Sequence, residues 1–427
     1  MHPNTRTAFP VRRALLAAAL IATALGAAAQ SPAPAGEPSL KALFDAAWAR
    51  QPEAQALQAR REASTAQRRA AESWTPEPPS LELNHRTDRL LRNDGAREFE
   101  LGVSVPLWLP DERRRSAALA EAEAAAVESH ADGARLRLAA VVREAWWQWQ
   151  RARIDADIAR GQLDSAQRLA ADVARRARAG DLARADQHQA DGAVAAAESG
   201  LAQAEAAVAV ALQQVRALAA EVVATVEPTA ATGLPTAEPE LDPKTTGDEI
   251  AVHPALAEIQ ARASVAERAA ALAATKTRAN PELTLATTRD RGAAGERYGQ
   301  TVTLALRIPF GAGARHDSRL AAARADVLEA EAQLAIDRAR LQAEQDAARA
   351  RVEATRVQLG AAERRATLAR ETRGFFDKSF RLGETDLPTR LRIEAEAAEA
   401  ERQAARSRIE LAAAISSWRQ ALGLLPQ

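Results

Sequence analysis

The side chains able to do chemistry are few and scattered. The six histidines are His2, His85, His130, His188, His253 and His316. No two stand at the spacing that would bring two imidazoles onto one metal ion. Cysteine is absent, which removes disulfides, thiolate metal sites, a Cys nucleophile and lipid attachment at an N-terminal Cys. Aspartate and glutamate number 57 against 57 lysines and arginines. They interleave with Arg along helical stretches, the pattern of a solvated face. No Gly-rich phosphate loop follows a strand, and no nucleophile constellation is present. Trp146, Trp147 and Trp149 cluster; packing between neighbouring helices explains them better than substrate stacking. These parts do not make an active site. An enzyme, a cofactor and a metal centre are not expected.

The chain has 427 residues and zero formal net charge, which argues against a nucleic-acid partner. Mean hydropathy is −0.30, so a helical membrane protein is not implied. One N-terminal segment is apolar. Arg12 and Arg13 precede the run Ala14 to Leu25, and Ala27-Ala28-Ala29 fits a small-residue cleavage site. Residues 1–29 therefore read as a secretory signal peptide.

Two stretches differ from the Ala-rich helix pattern that fills the rest. From Asn280 to Gly313, Val302, Leu304, Leu306 and Ile308 alternate with Thr301, Thr303, Ala305 and Arg307, and Leu283 and Leu285 alternate with Glu282, Thr284 and Ala286. Period two marks strands with one apolar face. Asp290, Gly292 and Gly295 supply a turn. From Pro79 to Pro110, Phe99, Leu101, Val103 and Val105 alternate with Glu100, Gly102 and Ser104, and Asn93-Asp94-Gly95 is the turn signal. Pro52 and Pro254 differ by 202, as do Pro79 and Pro281; Gly180 and Gly383 differ by 203. The chain is read as a tandem duplication. The first repeat covers 30–221 with its hairpin at about 80–109. A Pro-rich linker covers 222–247. The second repeat covers 248–427 with its hairpin at about 282–310.

Helix is expected from about Ser39 to Trp74, Asp111 to Arg178, Leu182 to Glu221, Asp248 to Ala279, Arg315 to Arg381, and from beyond the Gly383 break to Leu422. A helix of nearly seventy residues is on the order of 100 Å long. Two shorter helices stacked end to end would match it. Leu320, Val327, Leu334 and Leu341 recur every seven residues, and Val352 and Leu359 resume after an eleven-residue step. That mixture favours nearly straight coiled-coil packing. A mainly α protein with β is expected: long antiparallel helices carrying two hairpins.

A strand of about ten residues suffices for one tilted crossing of an outer membrane. Lipid would meet the apolar face, with Phe99, Leu101, Val103, Val302, Leu304 and Leu306 upon it. Closed barrels satisfy strand hydrogen bonds in lipid, and four strands are too few to close. A cyclic oligomer would complete the barrel. Trp108, at the foot of a strand, suits either an interfacial aromatic belt or packing.

The duplicated helix–hairpin–helix–helix plan resembles the TolC superfamily of outer-membrane efflux channels, over nearly the whole mature chain. In such proteins a Gly opens each helical tip and an Asp commonly stands six residues later. Gly180 and Asp186 match in AGDLARADQHQA. The second tip, RLGETDLPTRL, has Gly383 but Thr389 at the acidic position, with Asp386 nearby. It is also similar to the tips of CzcC-like heavy-metal efflux channels, which would make the cargo metal cations. The resemblance implies a homotrimer, a twelve-stranded barrel in outer-membrane lipid on a periplasmic helical tunnel, and an equatorial collar near the linker. It implies as partners a periplasmic adaptor and an inner-membrane pump of the RND type. Arg178, Gly180 and Asp181, with Arg381, Leu382, Gly383 and Glu384, would form the adaptor-docking tips. Asp186 and Asp386 would be the gate candidates. His188, close to the first tip, is read as a solvated helix-face residue rather than a luminal one. The alternative is a soluble periplasmic coiled-coil adaptor or scaffold, which lacks the further β-domains an adaptor needs.

Overall fold

The structure, a computed structural model, describes residues 39–90, 94–222, 237–241, 253–311 and 313–427. The expected signal peptide, most of the expected linker and Asn93 of the first turn lie outside the described residues.

Two short helices, α1 (Leu40–Ala49) and α2 (Pro52–Ala71), open the described chain. One continuous helix was expected there. Pro52 divides it: proline disfavours helical backbone at the residue before it but suits the first helical turn. Gln51 accordingly takes φ −70° and ψ 140°. Strands β1 (Ser80–Thr87) and β2 (Arg97–Pro106) follow, then α3 (Glu112–Ala179) and α4 (Arg184–Ala219). The second half repeats the order from α2 onward with α5 (Pro254–Thr275), β3 (Glu282–Arg291), β4 (Gly299–Arg307), α6 (Gly313–Arg381) and α7 (Leu387–Ala421). Helices α3 and α6 have 68 and 69 residues, or about 100 Å each.

The packing is pairwise. Helix α3 lies against α4 and α6 against α7, while α5 bridges α3 and α6. Helix α6 turns Leu341 and Val352 inward and leaves Leu320, Val327 and Leu334 half-buried, as the seven-residue repeat requires. The main core gathers Trp146, Trp147 and Trp149 of α3 with Leu43 and Phe44 of α1, Leu212 and Val215 of α4, and Ile409 of α7. The tryptophans are thus packing residues, and Trp146 meets Trp149 edge-on at 5.5 Å.

The segment 237–241 is pinned to this body. Glu238 is buried and receives both Nε and Nη2 of Arg143, at 3.1 and 2.9 Å. Arg419 Nε stands 3.3 Å away, and the Ser416 hydroxyl donates to the same carboxylate. A buried carboxylate requires such partners. Among the described residues no helix is long and apolar enough to cross a membrane.

Candidate functional site

The four strands form one antiparallel sheet in the order β1-β2-β3-β4. Strands from the two halves therefore pair directly, β2 with β3. Directly opposed residues share a face. Leu81 opposes Val103, Val103 opposes Leu285, and Leu285 opposes Leu304. The next row is Leu83, Leu101, Thr287 and Val302. The expected apolar residues thus form one continuous face across both hairpins. It is open in the protomer: Leu83 is 72% exposed, Val302 72% and Leu304 71%. The opposite face carries Glu82, Asn84, Glu98, Glu100, Thr284, Thr301 and Thr303. At its middle Gly102, Ser104 and Ala286 are buried, and the Thr284 and Ser104 hydroxyls meet at 3.1 Å. β1 and β4 are free edges within the protomer.

A buried node joins the sheet to the helices. Glu112, at the start of α3, is fully buried. Its Oε2 accepts from the Leu109 N–H at 3.0 Å and from Asn280 Nδ2 at 2.6 Å, and Lys276 Nζ lies 3.1 Å from Oε1. Sequence reasoning missed this node because Lys276 and Asn280 stand 164 and 168 positions from Glu112. Trp108 is half-buried and donates its indole N–H to the Ser73 carbonyl at 3.1 Å, so its polar end is held by protein.

The helical tips lie at the far ends of α3 and α6 from the sheet. Gly180 (φ 89°) and Gly383 (φ 80°) end these helices in the left-handed region, where a Cβ is disfavoured. Asp181 N–H donates to the Arg176 carbonyl at 2.9 Å, and Glu384 N–H to the Ser379 carbonyl at 3.0 Å. A side chain at either glycine would meet open space. Arg178, Asp181, Arg381, Leu382 and Glu384 are exposed. Arg178 Nε donates to the Ala174 carbonyl at 3.1 Å, and Arg381 pairs with Asp377.

The two gate candidates both start helices. Asp186, in the first turn of α4, accepts the Ala183 N–H at 3.0 Å. Asp386 is the N-cap of α7 and accepts the Thr389 N–H at 3.3 Å; bonding to Thr389 holds its carboxyl below the usual range. Thr389 is therefore a cap partner, and the acid of the second tip stands three residues earlier than that of the first. His188 is exposed.

The tips are fastened to each other through contacts absent from the sequence reading. Arg176 of α3 donates to the Phe380 carbonyl at 3.0 Å and lies 4.8 Å over the Phe380 ring. Phe380 is buried with Leu169, Val173, Ala190 and Leu387. Arg390 pairs with Asp377. A groove of about 1090 Å³ runs beside these contacts. Its charges are largely paired across α6 and α7, as in Arg373 with Glu394 at 3.5 Å and Glu401 at 3.3 Å. Among the described residues no three His, Asp or Glu side chains gather as a metal centre.

Closer to the sheet, Glu258 of α5 is buried against α3. Arg137 (2.6 Å), His130 (2.8 Å) and Arg262 (2.9 Å) surround it. Burial opposes its charge, but these hydrogen bonds and cations hold the carboxyl below its ordinary value. A Cβ at Gly133 would lie 2.1 Å from Glu258 Oε2, so any other residue there would push the carboxylate away from its partners. A glycine within a buried Ala-rich helix face was the one sequence signal for this contact.

Residues 43–221 match the sequence model of the outer membrane efflux protein family. No curated protein matches the chain. Among solved structures, VceC of Vibrio cholerae superimposes with a TM-score of 0.70 at 16% identity, covering 90% of this chain and 96% of that one. CmeC of Campylobacter jejuni gives 0.70 at 14%, covering 90% and 85%. The open state of MtrE of Neisseria gonorrhoeae gives 0.69 at 15%, covering 91% and 89%. The family match falls on the first of the two repeats, and the described chain has the fold of these outer-membrane proteins.

Proposed function

We propose that this protein is the outer-membrane duct of a tripartite efflux system, receiving solute from a periplasmic adaptor and an inner-membrane pump. One observation carries the reading: a four-stranded sheet exposes a continuous apolar face, bears a polar face behind it, and ends in two unpaired edges. Exposed edges and apolar faces are both unfavourable in water. Lipid covers the face, and closure between copies covers the edges. Three copies of four strands make a twelve-stranded barrel, wide enough for an open lumen. The helices α3 and α6 then extend the lumen about 100 Å into the periplasm, ending at the Gly180 and Gly383 tips where the adaptor docks.

Fractionation with light scattering of the detergent-extracted protein tests this. The protein should enter the outer membrane as a trimer, and deletion of Glu282 to Ile308 should abolish both insertion and assembly. A membrane-inserted monomer, or a soluble trimer, would overturn it.

A further inference from the structure

The apolar face of the sheet changes character toward its loops. Above the row Leu83, Leu101, Thr287 and Val302 stands the row His85, Phe99, Arg289 and Gln300, and above that Thr87, Arg97 and Arg291. Arg97 and Arg291 are directly opposed across β2 and β3. Like charges in that position repel. Among the described residues none of the three arginines has a carboxylate at ion-pair distance. Three nearby acids are otherwise engaged: Glu98 pairs with Arg86 on the other face, Asp88 accepts the Gly95 N–H, and Glu296 accepts the N–H groups of Gly292 and Ala293; Asp290 stands opposite Glu98, on the other face of the sheet. Arg289 and Arg291 are nonetheless held in place. Tyr298 lies under both Arg289 (4.8 Å) and Arg291 (5.1 Å), and Arg291 Nε donates to the Gly95 carbonyl at 3.1 Å.

Beside Arg289, a cavity of about 410 Å³ opens on the same face. Leu83, Leu101 and Phe99 line it with Thr287 and Gln300, and His85 stacks on Phe99 at 4.2 Å. An apolar trough thus runs up to a cluster of three uncompensated guanidinium groups. Guanidinium forks suit phosphate oxygens bidentately, and an apolar trough suits acyl chains.

We propose that Arg97, Arg289 and Arg291 bind the phosphate groups of a multiply acylated, phosphorylated glycolipid of the outer leaflet, with its acyl chains along Leu83, Leu101 and Phe99. This rests on the barrel reading above, which turns the apolar face to lipid and sets the loop end of the sheet outermost. Several phosphates on one headgroup match three adjacent cations better than the single phosphate of a phospholipid does. The bound lipid relieves the Arg97–Arg291 repulsion and so fastens β2 to β3, where the two halves of the chain meet.

Native mass spectrometry of the detergent-extracted trimer decides the matter. The probes are bisphosphorylated lipid A, its dephosphorylated form and phosphatidylglycerol. The wild type should retain bisphosphorylated lipid A at least tenfold better than either other lipid. The triple variant Arg97→Gln/Arg289→Gln/Arg291→Gln should lose at least tenfold of that retention, while Arg86→Gln, on the opposite face, should keep it. Equal retention of phosphorylated and dephosphorylated lipid A by the wild type overturns the proposal, as does preference for phosphatidylglycerol or unchanged retention by the triple variant. If the triple variant does not assemble, the wild-type comparison still decides. A wild-type protein that forms no membrane-inserted trimer overturns instead the barrel reading on which the proposal rests.

Discussion

Arg176 of α3 and Phe380 of α6 bind the two helical tips together twice over, once from the guanidinium to the backbone carbonyl and once from the guanidinium to the ring. A hydrogen bond from a charged donor contributes about 1.5–3 kcal/mol, and a cation–π contact onto a buried ring about 0.5–2 kcal/mol. Arg176→Ala should therefore loosen the tips without unfolding the bundle. In planar bilayers its resting single-channel conductance should exceed that of the wild type. Equal conductance would confine the contact to a structural role.

Gly383 meets open space, so Gly383→Trp costs little packing. Positive φ adds strain of about 1–3 kcal/mol at an exposed turn. Trimer yield and outer-membrane location should be nearly unchanged, whereas export and crosslinking to the adaptor should be lost. Normal export would move the adaptor contact away from this tip.

Asp186 has a structural use that Asp186→Ala would remove. Loss of its bond to the Ala183 N–H should cost about 1 kcal/mol of stability. If the three carboxylates also line the mouth, the substitution should raise conductance or weaken cation preference in bilayers. A stability loss with unchanged conductance and selectivity would leave Asp186 as a helix cap alone.

The two faces of β4 should respond differently to charge. Leu304 lies within the exposed apolar face, and Leu304→Arg should cost about 2–4 kcal/mol in a membrane-folding assay. Thr303→Arg, on the polar face, should be tolerated. Equal responses would show that the apolar face does not meet lipid.

Glu258 makes stability depend on pH. Its carboxyl titrates lower in the folded chain than in the unfolded one, where the ordinary value is about 4.3. The folded state then binds fewer protons in that interval. The stabilisation is complete above about pH 4.3 and disappears as pH falls through the folded value. Glu258→Gln should lower the melting temperature at pH 7 and flatten its decline below about pH 4.5. The parallel test is Gly133→Ala. Alanine favours an exposed helix by about 1 kcal/mol, yet here it should destabilise by about 1–3 kcal/mol through its clash with the carboxylate. A higher melting temperature for Gly133→Ala would refute that close approach.

Much of the architecture was legible in local patterns. Alternation at Val302, Leu304 and Leu306 reports a strand with one apolar face whatever it pairs with. Heptads from Leu320 to Leu341 report a packed helix, and Gly180 and Gly383 report where long helices must end, because each property belongs to a few consecutive residues. Pro52 was present in the sequence, but the helix break it causes was not read from it. Tertiary structure alone decided the contacts between distant segments. The pairing of β2 with β3 makes two separate apolar strips one face and sets Arg97 against Arg291. The burial of Glu112, Glu238 and Glu258 among dozens of similar surface acids follows from which cations other helices bring to them. A charge on an Ala-rich helix looks the same in sequence whether solvent or an arginine more than a hundred residues away neutralises it. Only the fold determines which.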